Sequence, residues 1–167
     1  HVRSLVEIMP VAMYMCNGDG LITYYNQRAV ELWGRSPQLL DPDDRFCGSY
    51  RMFLPGGEFL PHDRCPTAVA IQTGRRTRGE EVQIERPDGT VILASANIDP
   101  LYDENGRIAG AITVFEDITE RKLAEERLQT IYKLSEAVNR AEAVEQIYEQ
   151  AFAALERMLH VDRVSIL

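Results

Sequence analysis

The sequence predicts an α+β fold: a five-stranded antiparallel sheet, helices inserted between its second and third strands, and a C-terminal helical linker. Three observations carry this. All eleven glycines and all eight prolines lie at or before Gly110, so a turn-rich front gives way to an uninterrupted helix-forming tail. Residues 80–98 alternate polar and apolar with period two, as half-buried strands do. From Ala124 onward the apolar residues recur at helical spacing instead.

The elements follow in order. Val11 to Cys16 is an apolar run of strand length. Asn17-Gly18-Asp19-Gly20 supplies residues that tolerate positive φ in a tight hairpin, and Leu21 to Tyr25 returns as the second strand. Asn26 stands where a helix cap belongs, before Gln27 to Trp33, and Gly34 ends that helix. Residues 35–65 read as irregular, with Leu54-Pro55-Gly56-Gly57-Glu58 as a hairpin turn. Pro66 to Thr73 reads as a helix with Cys65 at its cap and Gly74 past its end. Strands follow at 80–85, from Ile92 past Ile98, and at Ile108 to Glu116, joined by turns at Pro87-Asp88-Gly89 and Asp103-Glu104-Asn105-Gly106.

In the tail, Ala124, Leu128, Ile131, Ser135 and Val138 space as a short coiled-coil seam. Asn139-Arg140-Ala141-Glu142 has the form of a capping box, so a helix break and restart is expected there. Val144, Ile147, Tyr148, Ala151, Leu155, Met158 and Leu159 form a second amphipathic stripe, and Val161 to Leu167 has strand character.

Composition excludes several functions. The net charge is −8 with no basic patch, which argues against nucleic acid and against anionic membrane as partners. No apolar run approaches the ~20 residues a bilayer span needs. The chain opens at His1 without Met or a leader pattern, so a piece of a longer protein is expected. Cys16, Cys47 and Cys65 make an odd count without framework spacing, so free thiols in a reducing, cytoplasmic setting are expected.

Three stretches in this order resemble the PAS domain family over roughly residues 5 to 122. They are Asn17 to Gly20 with Tyr25-Asn26-Gln27-Arg28-Ala29-Val30-Glu31-Leu32-Trp33-Gly34; Glu85-Arg86-Pro87-Asp88-Gly89-Thr90; and Gly106 to Lys122, which carries Asp117-Ile118-Thr119 and is similar to the closing (PAC) segment. The resemblance implies helices over one face of the sheet, an enclosed pocket, and a noncatalytic sensory role in a bacterial signalling protein such as a histidine kinase or cyclic-dinucleotide enzyme. Residues 139–167 resemble the opening of a GAF domain. The expected organisation is therefore a sensory domain at 1–117, a signalling helix at 118–138 and a partial GAF-like segment at 139–167. The expected partners are a second copy along 118–138, an output domain in the same full-length chain, and a small-molecule ligand.

The residues suggest where such functions would sit. Asp117, Ile118 and Thr119 lie at the strand-to-helix junction, where an Asp or Thr oxygen can cap the helix; the resemblance implies that Asp117 also bonds back to the sheet and couples it to the helix. Met13, Met15, Trp33, Tyr50, Met52, Phe53, Ile92, Ala94 and Ala96 are the candidate pocket wall, or equally plain core. The resemblance leaves an alternative reading, a cofactor-carrying photoreceptor or gas or redox sensor with haem or flavin, while no covalently bound cofactor is expected. A reactive flavin cysteine would need different residues around Cys47, and a haem ligand would have to be His62, which lies in a Pro-flanked loop. His62 and Cys65 do not match zinc spacing. Cys65 at a helix N-terminus beside His62 has the ingredients of a lowered thiol pKa and a Cys–His nucleophile.

Overall fold

The computed structural model describes residues 2–164, with side chains described for residues 4–159. The chain forms two compact units that meet at Glu120/Arg121.

In the first unit, helix α1 (Val2–Glu7) precedes strands β1 (Ala12–Asn17) and β2 (Ile22–Tyr25) and helix α2 (Gln27–Trp33). Short strands β3 (Arg51–Phe53) and β4 (Phe59–Leu60) lead to helix α3 (Pro66–Thr73), then to the long strands β5 (Thr77–Glu85), β6 (Val91–Tyr102) and β7 (Ile108–Asp117). All pairings are antiparallel, in the order β2-β1-β7-β6-β5-β3-β4. The sheet thus has seven strands rather than the expected five. The additional pair, β3 and β4, flanks the Leu54–Glu58 turn. Strands of two and three residues are too short for a period-two pattern to register.

Turn chemistry sets the register. Asn17 Oδ1 accepts from the amides of Asp19 and Leu21 at 3.0 Å each, closing the first hairpin. Gly20 takes φ +81°, and a side chain there would collide with the Phe46 ring, 2.3 Å from an added Cβ. In β5 the register shifts between Thr77 and Glu80, and Asn97 Oδ1 takes up the freed Gly79 amide at 2.9 Å.

One face of the sheet carries the core. Ala12, Tyr14 and Cys16 of β1, Ala94, Ala96 and Ile98 of β6, and Ala111 and Phe115 of β7 meet Ala29, Leu32 and Trp33 of α2 and Ala68, Ala70 and Ile71 of α3. The small alanines on the strands leave room for Trp33, which is fully buried. Its ring stacks on Phe115 at 5.5 Å and meets Tyr14 and Tyr25 edge-on at 5.2 and 5.8 Å.

The second unit is helical. Helix α4 spans Thr119–Val164 without the break expected at Asn139–Glu142, and it continues through 161–164, where strand character is expected. The end of that expected strand, residues 165–167, lies outside the described residues. No Gly or Pro follows Gly110. An Asn in a helix interior costs only about 0.7 kcal/mol, less than a second helix nucleation would cost. The seam of Ala124, Leu128, Ile131, Ser135 and Val138 alternates by four and three, and Val144, Tyr148, Ala151, Leu155 and Met158 do the same. Val138 to Val144 is six residues, one short of a heptad, so the stripes differ in phase by about 100°. Leu128, Ile131, Val138, Val144, Ile147, Tyr148 and Leu155 are all exposed.

Candidate functional site

Two features of the first unit bear on function: a buried cavity over the sheet and the junction from β7 to α4. The cavity measures ≈ 20 Å³, about the space of one water molecule. Its wall includes Trp33, Met52, Ala94 and Ala96 from the predicted set, with Tyr14, Cys47, Cys65, Thr67, Thr113 and Phe115.

The rest of the predicted wall lies elsewhere. Met13 and Met15 alternate with Tyr14 and so face the other side of the sheet, where they pair with Val114 and Ile112. Tyr50 is exposed, its ring under the Arg51 guanidinium. Ile92 is in the core, on the same sheet face as Ala94, but does not reach the cavity. Phe53 packs edge-on against Phe59. An apolar run such as Val11–Cys16 carries no parity, so sequence could not choose between Tyr14 and its methionine neighbours.

A line of hydroxyls, not anticipated from sequence, crosses the cavity wall. Tyr14 OH donates to the Phe46 carbonyl at 2.9 Å. Its one proton is thereby committed, so the Thr67 hydroxyl at 2.7 Å donates to it and the Thr113 hydroxyl at 2.8 Å donates to Thr67. Phe46 holds φ +68°, a strained value for a bulky residue, with its amide on the Gly20 carbonyl at 2.7 Å. Trp33 Nε1 is the one buried side-chain donor without a partner among the described residues.

The three cysteines are free and buried. Burial pushes all three thiols up, Cys65 to about 12. For Cys47, hydrogen bonding with Ser49 acts the other way without prevailing. Cys65 is therefore the reverse of an activated nucleophile, since desolvation outweighs the helix end. His62 Nε2 is occupied by the Ser49 carbonyl at 2.9 Å and its hydroxyl at 3.2 Å. Among the described residues no three His, Cys, Asp or Glu converge as a metal site would require.

These thiols set an alkaline limit. Above about pH 8.5 the unfolded chain ionises its cysteines while the folded protein keeps Cys65 neutral until about 12. Stability is whole below the unfolded value and drains away as pH rises toward the folded one, by at most about 1.4 kcal/mol per unit for each thiol. Thermal melts between pH 7.5 and 10 are expected to fall less steeply for Cys65→Ala than for the parent. Equal slopes would contradict this.

At the junction, Ile118 is buried. Its amide donates to the Leu93 carbonyl at 2.8 Å. The Leu93 amide in turn donates to the Thr119 hydroxyl oxygen at 2.9 Å. Asp117 stays local: Oδ1 accepts from the Thr119 amide at 2.9 Å and from its hydroxyl. The bond back to the sheet expected of Asp117 is thus made by Thr119, which Asp117 orients. Asn26 caps α2 as expected, accepting from the Ala29 amide at 3.1 Å. It also accepts from the Met13 amide at 3.0 Å and donates to the carbonyls of Val6 and Val11 at 3.2 and 2.9 Å.

A family model for the PAS domain matches residues 10–120, most of the chain. The chain belongs to the PAS family. Among solved structures, this PAS domain is similar to the PAS domain of a protein from Colwellia psychrerythraea: 21% identity, TM-score 0.54, covering 71% of this chain and 95% of that one. It is also similar to an RNA-binding light-oxygen-voltage receptor, with 21% identity and TM-score 0.54, over 80% of this chain and 37% of that one. A light-oxygen-voltage domain studied with a flavin analogue matches at 19% identity and TM-score 0.53, over 79% of this chain and 94% of that one. At such identities these neighbours speak for the fold alone.

A flavin does not fit this PAS domain. The cavity has room for about one water, the stacked Trp33–Phe115 pair occupies the space over the sheet, and the hydroxyls of Tyr14, Thr67 and Thr113 are spent on one another. Haem, a larger planar group, finds no more room there. Among the described residues no helix is long and apolar enough to cross a membrane.

Proposed function

We propose that this PAS domain is a noncatalytic, cytoplasmic sensor and dimerisation module of a multidomain bacterial signalling protein, histidine-kinase-like in organisation. It relays the state of its core through α4 to an output domain in the same full-length chain. The observation that carries this reading is the two-way bonding of Leu93: its carbonyl takes the Ile118 amide and its amide gives to Thr119. A displacement of β6 therefore pulls directly on the first turn of α4. The second copy lies along Ala124, Leu128, Ile131, Ser135 and Val138, where burying each exposed Leu or Ile contributes about 1.5–3 kcal/mol. The segment 139–167 is read as the start of a GAF domain, whose remainder covers the Val144–Met158 stripe. The cofactor-carrying alternative finds no support in the cavity. Relay requires two states that the signal weights differently.

Cross-linking tests relay and dimer together. The native thiols are buried, so Leu128→Cys offers a selective exposed thiol. We expect it to oxidise to a covalent dimer. Adding Thr119→Val leaves the Leu93 amide unpaired at a cost of about 1–2 kcal/mol and is expected to change the cross-linking yield of Leu128→Cys at least threefold relative to that of a parallel Ile131→Cys variant. Absence of a dimer sinks the partner assignment; an unchanged ratio sinks the relay.

A further inference from the structure

Pro66 and Val82 line the buried cavity on one side and, on the other, an open groove of ≈ 120 Å³. The groove walls are Leu54, Leu60, Val69 and Thr77, with Arg64, Arg75 and Glu80 beside them. Its arginines differ from their neighbours. Arg76 and Arg78 both pair with Asp99, and Arg51 pairs with Glu85. Neither Arg64 nor Arg75 has an ion-pair partner among the described residues. Two guanidiniums against one carboxylate leave the groove locally positive in a chain of net charge −8.

We propose that this groove binds an organic anion with an apolar body, the carboxylate or phosphate head on Arg64 and Arg75 and the body along Leu60, Val69 and Val82. Guanidinium groups take both heads through paired N–H donors. The groove has room for a short apolar chain or a ring where the cavity has not, and Pro66 and Val82 line both. A body pressed on Val82 bears on β5, which is paired along its length with β6, the strand of the Leu93 clamp. Only this last step, from occupancy to signal, rests on the sensor reading above; binding stands without it.

The test is titration of the isotopically labelled chain with decanoate, decyl phosphate and decanol, followed by NMR. Decanoate and decyl phosphate are expected to shift the signals of Leu60, Val69 and Val82 saturably, and decanol to bind at least tenfold more weakly. A stronger response to one of the two anions identifies the head. Arg64→Gln with Arg75→Gln, exposed substitutions that leave the remaining spectrum in place, are expected to weaken anion binding at least tenfold. Equal affinity for decanol, no saturable shift in the groove, or full binding by the double variant would each overturn the proposal. These readouts do not involve α4, so a failed relay with intact binding, or the reverse, is told apart.

Discussion

Trp33→Ala is expected to lower the free energy of unfolding by about 3–5 kcal/mol, a large part of a small domain's total. The indole is fully buried and is in ring contact with Tyr14, Tyr25 and Phe115. The Gly48 backbone is packed so closely on the ring that a Cβ there would lie 2.5 Å from it. Tyr14 is kept from closing over the space by its bonds to Phe46 and Thr67. Trp33 Nε1 has no partner, so the loss is one of packing and not of hydrogen bonding. Urea unfolding followed by circular dichroism measures it, because Trp33 is the sole tryptophan and fluorescence disappears with it. Added indole should raise the melting temperature of the variant and not of the parent, as a dry engineered cavity takes up an apolar guest. A loss under 1 kcal/mol would mean that the cavity wall is far more pliant than its contacts imply.

Asn26→Asp is the second large effect, about 2–4 kcal/mol at neutral pH, from a change of one amide to a carboxylate. The acceptor half survives: Met13 and Ala29 amides still find an oxygen. The donor half inverts, and a second carboxylate oxygen faces the carbonyls of Val6 and Val11 in a site 1% exposed. Burial and carbonyl repulsion raise the folded pKa of the new acid above its unfolded value near 4. The penalty is then full above the folded pKa and recedes as pH falls and the protonated acid regains a donor. Unfolding free energies at pH 7.5 and 5 check the sign. A variant less stable at pH 5 than at 7.5, relative to the parent, would refute the argument.

Much of this was legible in the chain and some was not, for identifiable reasons. The Asn26 cap, the Gly34 and Gly74 helix ends and the turn at Pro87–Gly89 rest on local chemistry, which a sequence prints directly. The inward choice of Tyr14 over Met13 and Met15 is a matter of cross-strand neighbours, which it does not. Thr67 and Thr113 are 46 positions apart and meet only once α3 lies across β7. The capping-box signal at Asn139 was local and genuine, but propagation of an established helix outweighs it. Thr119 and Asp117 both stand out in the sequence at the junction, yet which of the two reaches Leu93 depends on where β6 lies.

The missing residue between Val138 and Val144 limits how α4 can associate. About 100° of azimuth separates the two apolar stripes, so no single straight neighbour can shelter both. Any companion following the first must wind away before the second, or yield its place there to a different body. The helix is divided into two storeys by arithmetic alone, with no break in its hydrogen-bonded run to mark the landing.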